Sequence, residues 1–391
     1  MRAESGALLS PVRNLYKRPM PFLLRQSALW TLVVAVGACA VLFPIHVPFL
    51  HTASANSTGC AYEPAANQQA GLFIRHLPKS CSEQERERLS VRAGDILEAL
   101  KEGKGIDLLG VVVTGDLLLN QLSTQSLADS GLQSSRLVEA LQAQRITDVR
   151  IIKGSISLRD SRVHGQISTN LKEGFLVVAG PVTTNGTTFD GSVDLSHTAF
   201  LGAVDFSDTI FLQEGFFVRA LFTQAARFER TAFGTHTRFH RAVFADSASF
   251  LRAGFNGLAE FLEVSFEKDT SFARTYFKSG TGFSGSRFHQ GLDFSEATFE
   301  REVYFLFTRC DGDAYFRRAT FRSTADFTNA EFKGLDDFSK TYFEVAPTFK
   351  DTKRNPNHRS LGGLQNPKVL LAIGAALLCF TLLFLFFLRK I

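Results

Sequence analysis

The sequence predicts a mainly β fold: a solenoid of short strands with an N-terminal capping helix and a transmembrane helix at each end. Three observations predict it. Phenylalanine recurs in steps that alternate between five and six residues. Two long uncharged apolar segments bracket the chain. A polar stretch after the first of them carries a helix-start signal.

Phenylalanine dominates the composition, with 39 copies in 391 residues against 1 Trp, 2 Met and 6 Tyr. Charged residues make up 21 %, which does not describe a disordered chain. The net charge of +5 is unevenly placed, because Phe189 to Phe349 holds 22 acidic and 17 basic side chains. A body this balanced has no concentrated basic face, so no nucleic acid is expected as a partner.

Residues 1–28 form a basic N-terminus, with Arg2, Arg13, Lys17, Arg18 and Arg25 opposed by Glu4. Residues 29–49 follow as a transmembrane helix or signal anchor. Its uninterrupted part ends at Phe43, before Pro44 and Pro48. The basic flank places the N-terminus in the cytoplasm by the positive-inside rule. Cleavage after Ala53–Ala55 is the competing reading, with the distance from Phe43 long for a signal peptide. Residues 368–388 form the second span, uncharged from Val369 to Leu388 and about as long as a bilayer is thick. The expected location is therefore the cell membrane, both ends cytoplasmic and the body exported (periplasmic in a bacterium). Against this, Lys350, Lys353, Arg354, Arg359 and Lys368 outnumber the charges of the short tail, and the first segment is taken to dominate.

Residues 50–81 read as a linker containing Cys60 and Cys81, a candidate disulfide worth roughly 3 kcal/mol for a loop of that size. Two free thiols are the alternative. Cys39 and Cys379 lie in the apolar segments as packing residues. Residues 82–104 read as one capping helix, started by a Ser82/Glu85 capping box and ended by Gly103 or Gly105, with Leu89, Ile96, Leu97 and Leu100 on one face. Residues 105–188 read as an irregular start to the solenoid, interrupted by a polar insertion from Leu122 to Gln144. Residues 350–367 are a linker to the last span.

The repeat proper occupies 189–349. Backwards from Phe200 the beat gives Leu195 and Phe189. Forwards it runs Phe200, Phe206, Phe211, Phe217, Phe222, Phe228, Phe233, Phe239, Phe244, Phe250, Phe255, Phe261, Phe266, Phe272, Phe277, Phe283, Phe288, Phe294, Phe299 and Phe305. After Cys310 it continues through Phe316, Phe321, Phe327, Phe332, Phe338, Phe343 and Phe349. A helix would repeat at 3.6 and a plain strand at 2. The residue two before each beat is usually small, and in an extended segment positions i and i−2 share a side. Each short segment therefore points a Phe and a small residue inward and then turns. The beat is a structural core ladder, not a site.

This pattern resembles the pentapeptide-repeat proteins, in a Phe-centred variant with mixed five- and six-residue steps. The resemblance implies a right-handed quadrilateral β-helix with 22 residues per coil, giving about seven coils and roughly 35 Å of rod over 189–349. A flatter coil of 11 residues is the alternative.

Catalytic constellations are not expected. His236 and His240 flank Arg238, but the positions one coil on hold Leu258 and Leu262. Asp311 and Asp313 lack the remaining ligands of a calcium loop. Asp311 with Glu300 or Glu302 is the nearest approach to a glycosidase carboxylate pair. No nucleophile elbow, phosphate loop or dinucleotide fingerprint is present, and no cofactor or metal is expected. Off the beat, Phe216, Leu221, Leu251, Leu262 and Phe307 would mark a docking surface if they shared one face. The expected function is a non-catalytic scaffold or interaction module. Its expected partners are the lipid bilayer and another envelope protein. The alternatives are an envelope polysaccharide-acting enzyme and the soluble arm of a membrane transport complex.

Overall fold

Two-residue strands separated by tight corners build this protein, and their pairing settles the size of the coil. In the computed structural model Val204–Asp205, Ile210–Phe211, Gly215–Phe216 and Leu221–Phe222 form four successive sides, and Ala226–Arg227 returns to the first. Val204 pairs with Ala226 and Leu221 with Val243, both parallel. Each coil thus takes 22 residues, the separation that recurs in the contacts between coils, and the 11-residue coil is excluded. The structure describes residues 59–63, 71–132, 138, 141, 142, 145–171 and 174–356. The chain divides after Asn56, and every described residue belongs to the second unit. The apolar segments 29–49 and 368–388 lie outside the described residues. Among the described residues no helix is long and apolar enough to cross a membrane.

Among the described residues the coils stack into four sheets of 11, 11, 9 and 10 strands. We number them 1 to 4 in the order just given, from Val204–Asp205 to Leu221–Phe222. The beat residues point inward. Of the ladder, Phe189 and Phe200 to Phe338 are buried, while Phe343 and Phe349 in the last coil are half-buried. Rings one coil apart stack with nearly parallel planes, from 4.5 Å between the centroids of Phe222 and Phe244 to 5.4 Å for Phe294 and Phe316. Rings on different sides meet edge to face, as Phe250 and Phe261 do at 5.5 Å and 87°. Both arrangements suit the quadrupole of a benzene ring. Cys310 replaces a ring in the column between Phe288 and Phe332.

The alternation of five and six comes from two kinds of corner. The five-residue steps pass through a turn whose third residue has positive φ, such as Asp208 (φ 58°) and Arg219 (φ 55°). The Thr209 N–H donates to the Phe206 carbonyl to close it. The residue after that position is buried and mostly small, as in Ala220 and Ala242, or is a threonine as in Thr231. Where it is threonine, the hydroxyl donates to a carbonyl of the coil before, as Thr231 does to Phe206 at 2.7 Å. That satisfies a buried hydroxyl which would otherwise be costly.

The solenoid begins earlier than the beat. Leu72–His76, within the stretch read as a linker, pairs with Gly105–Leu109 as the first strands of sheet 1. Its apolar run Leu72–Ile74 has a sheet edge to cover. At the other end Lys353 still bridges to Glu331, so the last coil reaches past Phe349. The segment 82–104 is two helices. The first, α1 (Glu83–Arg88), starts with the Ser82/Glu85 capping box. The second, α2 (Ala93–Lys101), buries Ile96, Leu97 and Leu100 in the core. They are split because Val91–Arg92 is needed as a strand against Val112–Thr114.

The described part of the polar insertion covers the early coils of sheet 4. Thr124–Ser126 pairs antiparallel with Asp148–Ile152. Leu127 and Leu141 then close over the outward side chains Val149, Val177 and Ala199, forming a second apolar cluster. The outward face of sheet 4 is apolar in these early coils because it is not a surface there.

Candidate functional site

In a stack of coils a surface site is assembled from residues that are neighbours across coils, and three clusters of charged side chains stand out. The first lies on sheet 3. His236–Arg238 and Leu258–Glu260 are adjacent strands that place Arg238 opposite Glu260. The Glu260 carboxylate accepts from Arg238 Nε at 2.8 Å and lies 2.7 Å from His236 Nε2. His240 stands 3.5 Å away without a hydrogen bond. Burial works to raise the Glu260 carboxyl, but the bonds from His236 and Arg238 outweigh it and hold it below its ordinary value. Burial lowers the His240 imidazole. The two histidines do converge, on Glu260 rather than on Leu258 and Leu262. Arg238 Nε lies 3.1 Å from His236 Nε2 and 2.8 Å from Glu260, so a metal ion beside them would meet a cation. Among the described residues no group of three or more metal-ligating side chains is placed to hold a metal.

A second cluster lies on sheet 4. Asp311 accepts from Arg309 and Lys333, each at 2.9 Å, and His289 Nδ1 is 3.3 Å away. Lys333 first and Arg309 second hold its carboxyl at about 2. Beside it, burial pushes the Cys310 thiol up, so this cysteine is inert. Asp313 precedes the Ala314–Tyr315 strand of sheet 1, accepting from the Leu335 N–H and the Tyr315 hydroxyl. Glu300 follows sheet 2 and lies 3.2 Å from Arg322. Glu302 precedes Val303–Tyr304 on sheet 3. The pair 311/313 and the pair 300/302 thus flank opposite corners of the coil. A pairing of Asp311 with Glu300 or Glu302 does not form.

The third cluster ties α1 to the coils. His164 Nε2 is 2.8 Å from Glu87 of α1, and its Nδ1 is 2.6 Å from Asp190. Arg162 bonds the same Asp190 at 2.8 Å and approaches Glu83 at 3.7 Å. Glu87 first and Asp190 second raise the His164 imidazole. Sequence reading missed this cluster because Glu87 and His164 are 77 residues apart. The same holds for the C-terminal coil. There Asp336 takes an inward position that is alanine in the preceding coil, at Ala314. It is fully buried and paired with Arg354, whose guanidinium lies over the rings of Phe338 and Phe349. The break in the small-residue pattern at "DDF" was the available signal.

Cys60 and Cys81 are joined by a disulfide, with Cα atoms 5.3 Å apart. The off-beat apolar residues do not share one face. Phe216 is on sheet 3 beneath the Arg238 guanidinium, and Leu221 packs under the insertion on sheet 4. Leu251 sits at the corner between sheets 1 and 2. Leu262 and Phe307 sit at the corner between sheets 3 and 4, with Phe307 65 % exposed.

No curated protein and no solved structure matches this chain. The repeat itself does find its like: the family model for pentapeptide repeats matches in nine copies, over residues 185–232 and 294–341.

Proposed function

We propose that this protein is a non-catalytic binding rod of the cell envelope, tethered to the membrane at both ends, with its solenoid exported. The observation that carries the reading is how the side chains are used. Inward positions are taken by packing, and many outward charges are paired with the neighbouring coil, as in Arg230–Asp208 and Arg241–Glu263. Such a rod offers long rigid faces suited to a partner. The coils wind to the right, as parallel crossover connections do, and α2 caps the N-terminal end. The tether rests on the uncharged runs within 29–49 and 368–388. Export is supported by the Cys60–Cys81 disulfide, a bond that persists in oxidising compartments.

Thiol labelling in intact cells tests the placement. A membrane-impermeant maleimide is expected to reach Cys60 and Cys81 only after an impermeant reductant. Labelling only after lysis would put the solenoid in the cytoplasm and end this reading. Robust cleavage of envelope glycans by the purified chain would end its non-catalytic part.

A further inference from the structure

The aromatic ladder does not fill the whole lumen. Below Phe200 its column on sheet 4 continues with Val178 and Ile152. Below Phe189 the column on sheet 2 continues with Val163 and Val113. Inward neighbours grow in partial compensation, from Ala226 in the full coils to Val182 and Ile156 in the early ones. The exchange falls short in volume, because branched aliphatic side chains replace rings in a lumen of fixed width. A cavity of about 70 Å³ remains on the solenoid axis, between the last rings of the ladder and Ile96 and Leu100 of α2.

Its wall is aliphatic and aromatic except for Thr184, whose hydroxyl is taken by Thr209 at 2.7 Å. The volume would admit water, but no free polar partner is there to hold it, and such cavities stay dry and accept non-polar guests. We propose that this cavity is a binding site for small non-polar molecules, of a size between xenon and a short hydrocarbon. Recognition is by shape and dispersion alone, so polar, charged or long-chain molecules are rejected. Ile96 and Leu100 place α2 across the N-terminal side of the cavity, making its local opening the route of entry.

Xenon is the probe, applied to the full chain. Xenon NMR is expected to show a saturable shift, and crystals under xenon pressure a single site beside Ile152 and Val178. Val178→Phe, which extends the Phe200 column by one ring, is expected to abolish the response and raise Tm by a few degrees. Absence of a saturable response in the unmodified chain overturns the proposal. So does a response that survives unchanged in a folded Val178→Phe protein. If Val178→Phe does not fold, Val182→Leu adds one methylene to the same wall and is expected to weaken the response. A response that Val182→Leu leaves unaltered would likewise overturn the proposal.

Discussion

A phenylalanine on the beat and one off it differ in their surroundings, and substitution should separate them. Phe272 is fully buried, stacked on Phe250 at 4.7 Å and Phe294 at 4.8 Å. Phe272→Ala is expected to cost about 4 kcal/mol, as large-to-small core changes do, and Phe272→Asp more, because it puts a charge among rings. Phe307 is largely exposed at a corner with φ 56°. Phe307→Ala is expected to stay within about 0.5 kcal/mol of the parent. Thermal melts of the three variants check the inward assignment, and equal losses at both sites would refute it. The corner positions carry a local cost of their own. Every eleventh residue from Arg219 to Arg274 adopts positive φ without being glycine, a conformation costing roughly 1 kcal/mol each. The stacked core around them holds these corners in place.

At the two ends of the solenoid, charge contacts add to the apolar packing. Helix α1 is too short to be stable alone, and His164 clamps it through Glu87 while bonding Asp190. Arg162 shares Asp190 and reaches Glu83, so the imidazole faces two carboxylates and one nearby guanidinium. Because the folded imidazole is raised above its ordinary value, its contribution is complete below about pH 6.5 and is lost as pH rises through the folded value. Amide exchange of α1 should therefore quicken as pH rises from about 6.5 through the raised value of the imidazole, and Glu87→Gln should flatten that dependence. Exchange independent of pH across that range, after correction for the intrinsic rate, would rule out the clamp. At the far end, Arg354→Ala withdraws a cation from the fully buried Asp336 and from the face of two rings. A loss of about 3 kcal/mol is expected, read as early melting of the last coil in hydrogen exchange.

Over the whole molecule the coils contact only their neighbours, so stability is approximately a sum of coil and interface terms, weakest at the ends. The middle coils, where all four columns are rings, should exchange slowest. The early aliphatic coils, with their cavity, should exchange sooner. The Cys60–Cys81 bridge, spanning 21 residues, offsets some of this at the N-terminal end. Replacing both cysteines by serine is expected to cost about 3 kcal/mol, concentrated in the first strand of sheet 1 and in α1. Loss spread evenly over all coils would contradict a one-dimensional stack.

The repeat was legible in the sequence because a solenoid writes its core locally. Each five- or six-residue step carries its own ring and small residue, so position along the chain alone assigns Phe200 to Phe349 inward. Ser82 with Glu85, and the apolar face of Ile96, Leu97 and Leu100, are equally local. What tertiary structure decided depends on which segments become neighbours. Pairing at 22 residues chose the four-sided coil over the flat one. It brought Glu260 to His236, joined Glu87 to His164, and laid the insertion over Val177 and Ala199. It also made Val91–Arg92 a strand within what the sequence reads as one helix. These choices turn on contacts across one or more coils, whose energy is realised only once the chain has wound, and no local pattern records them.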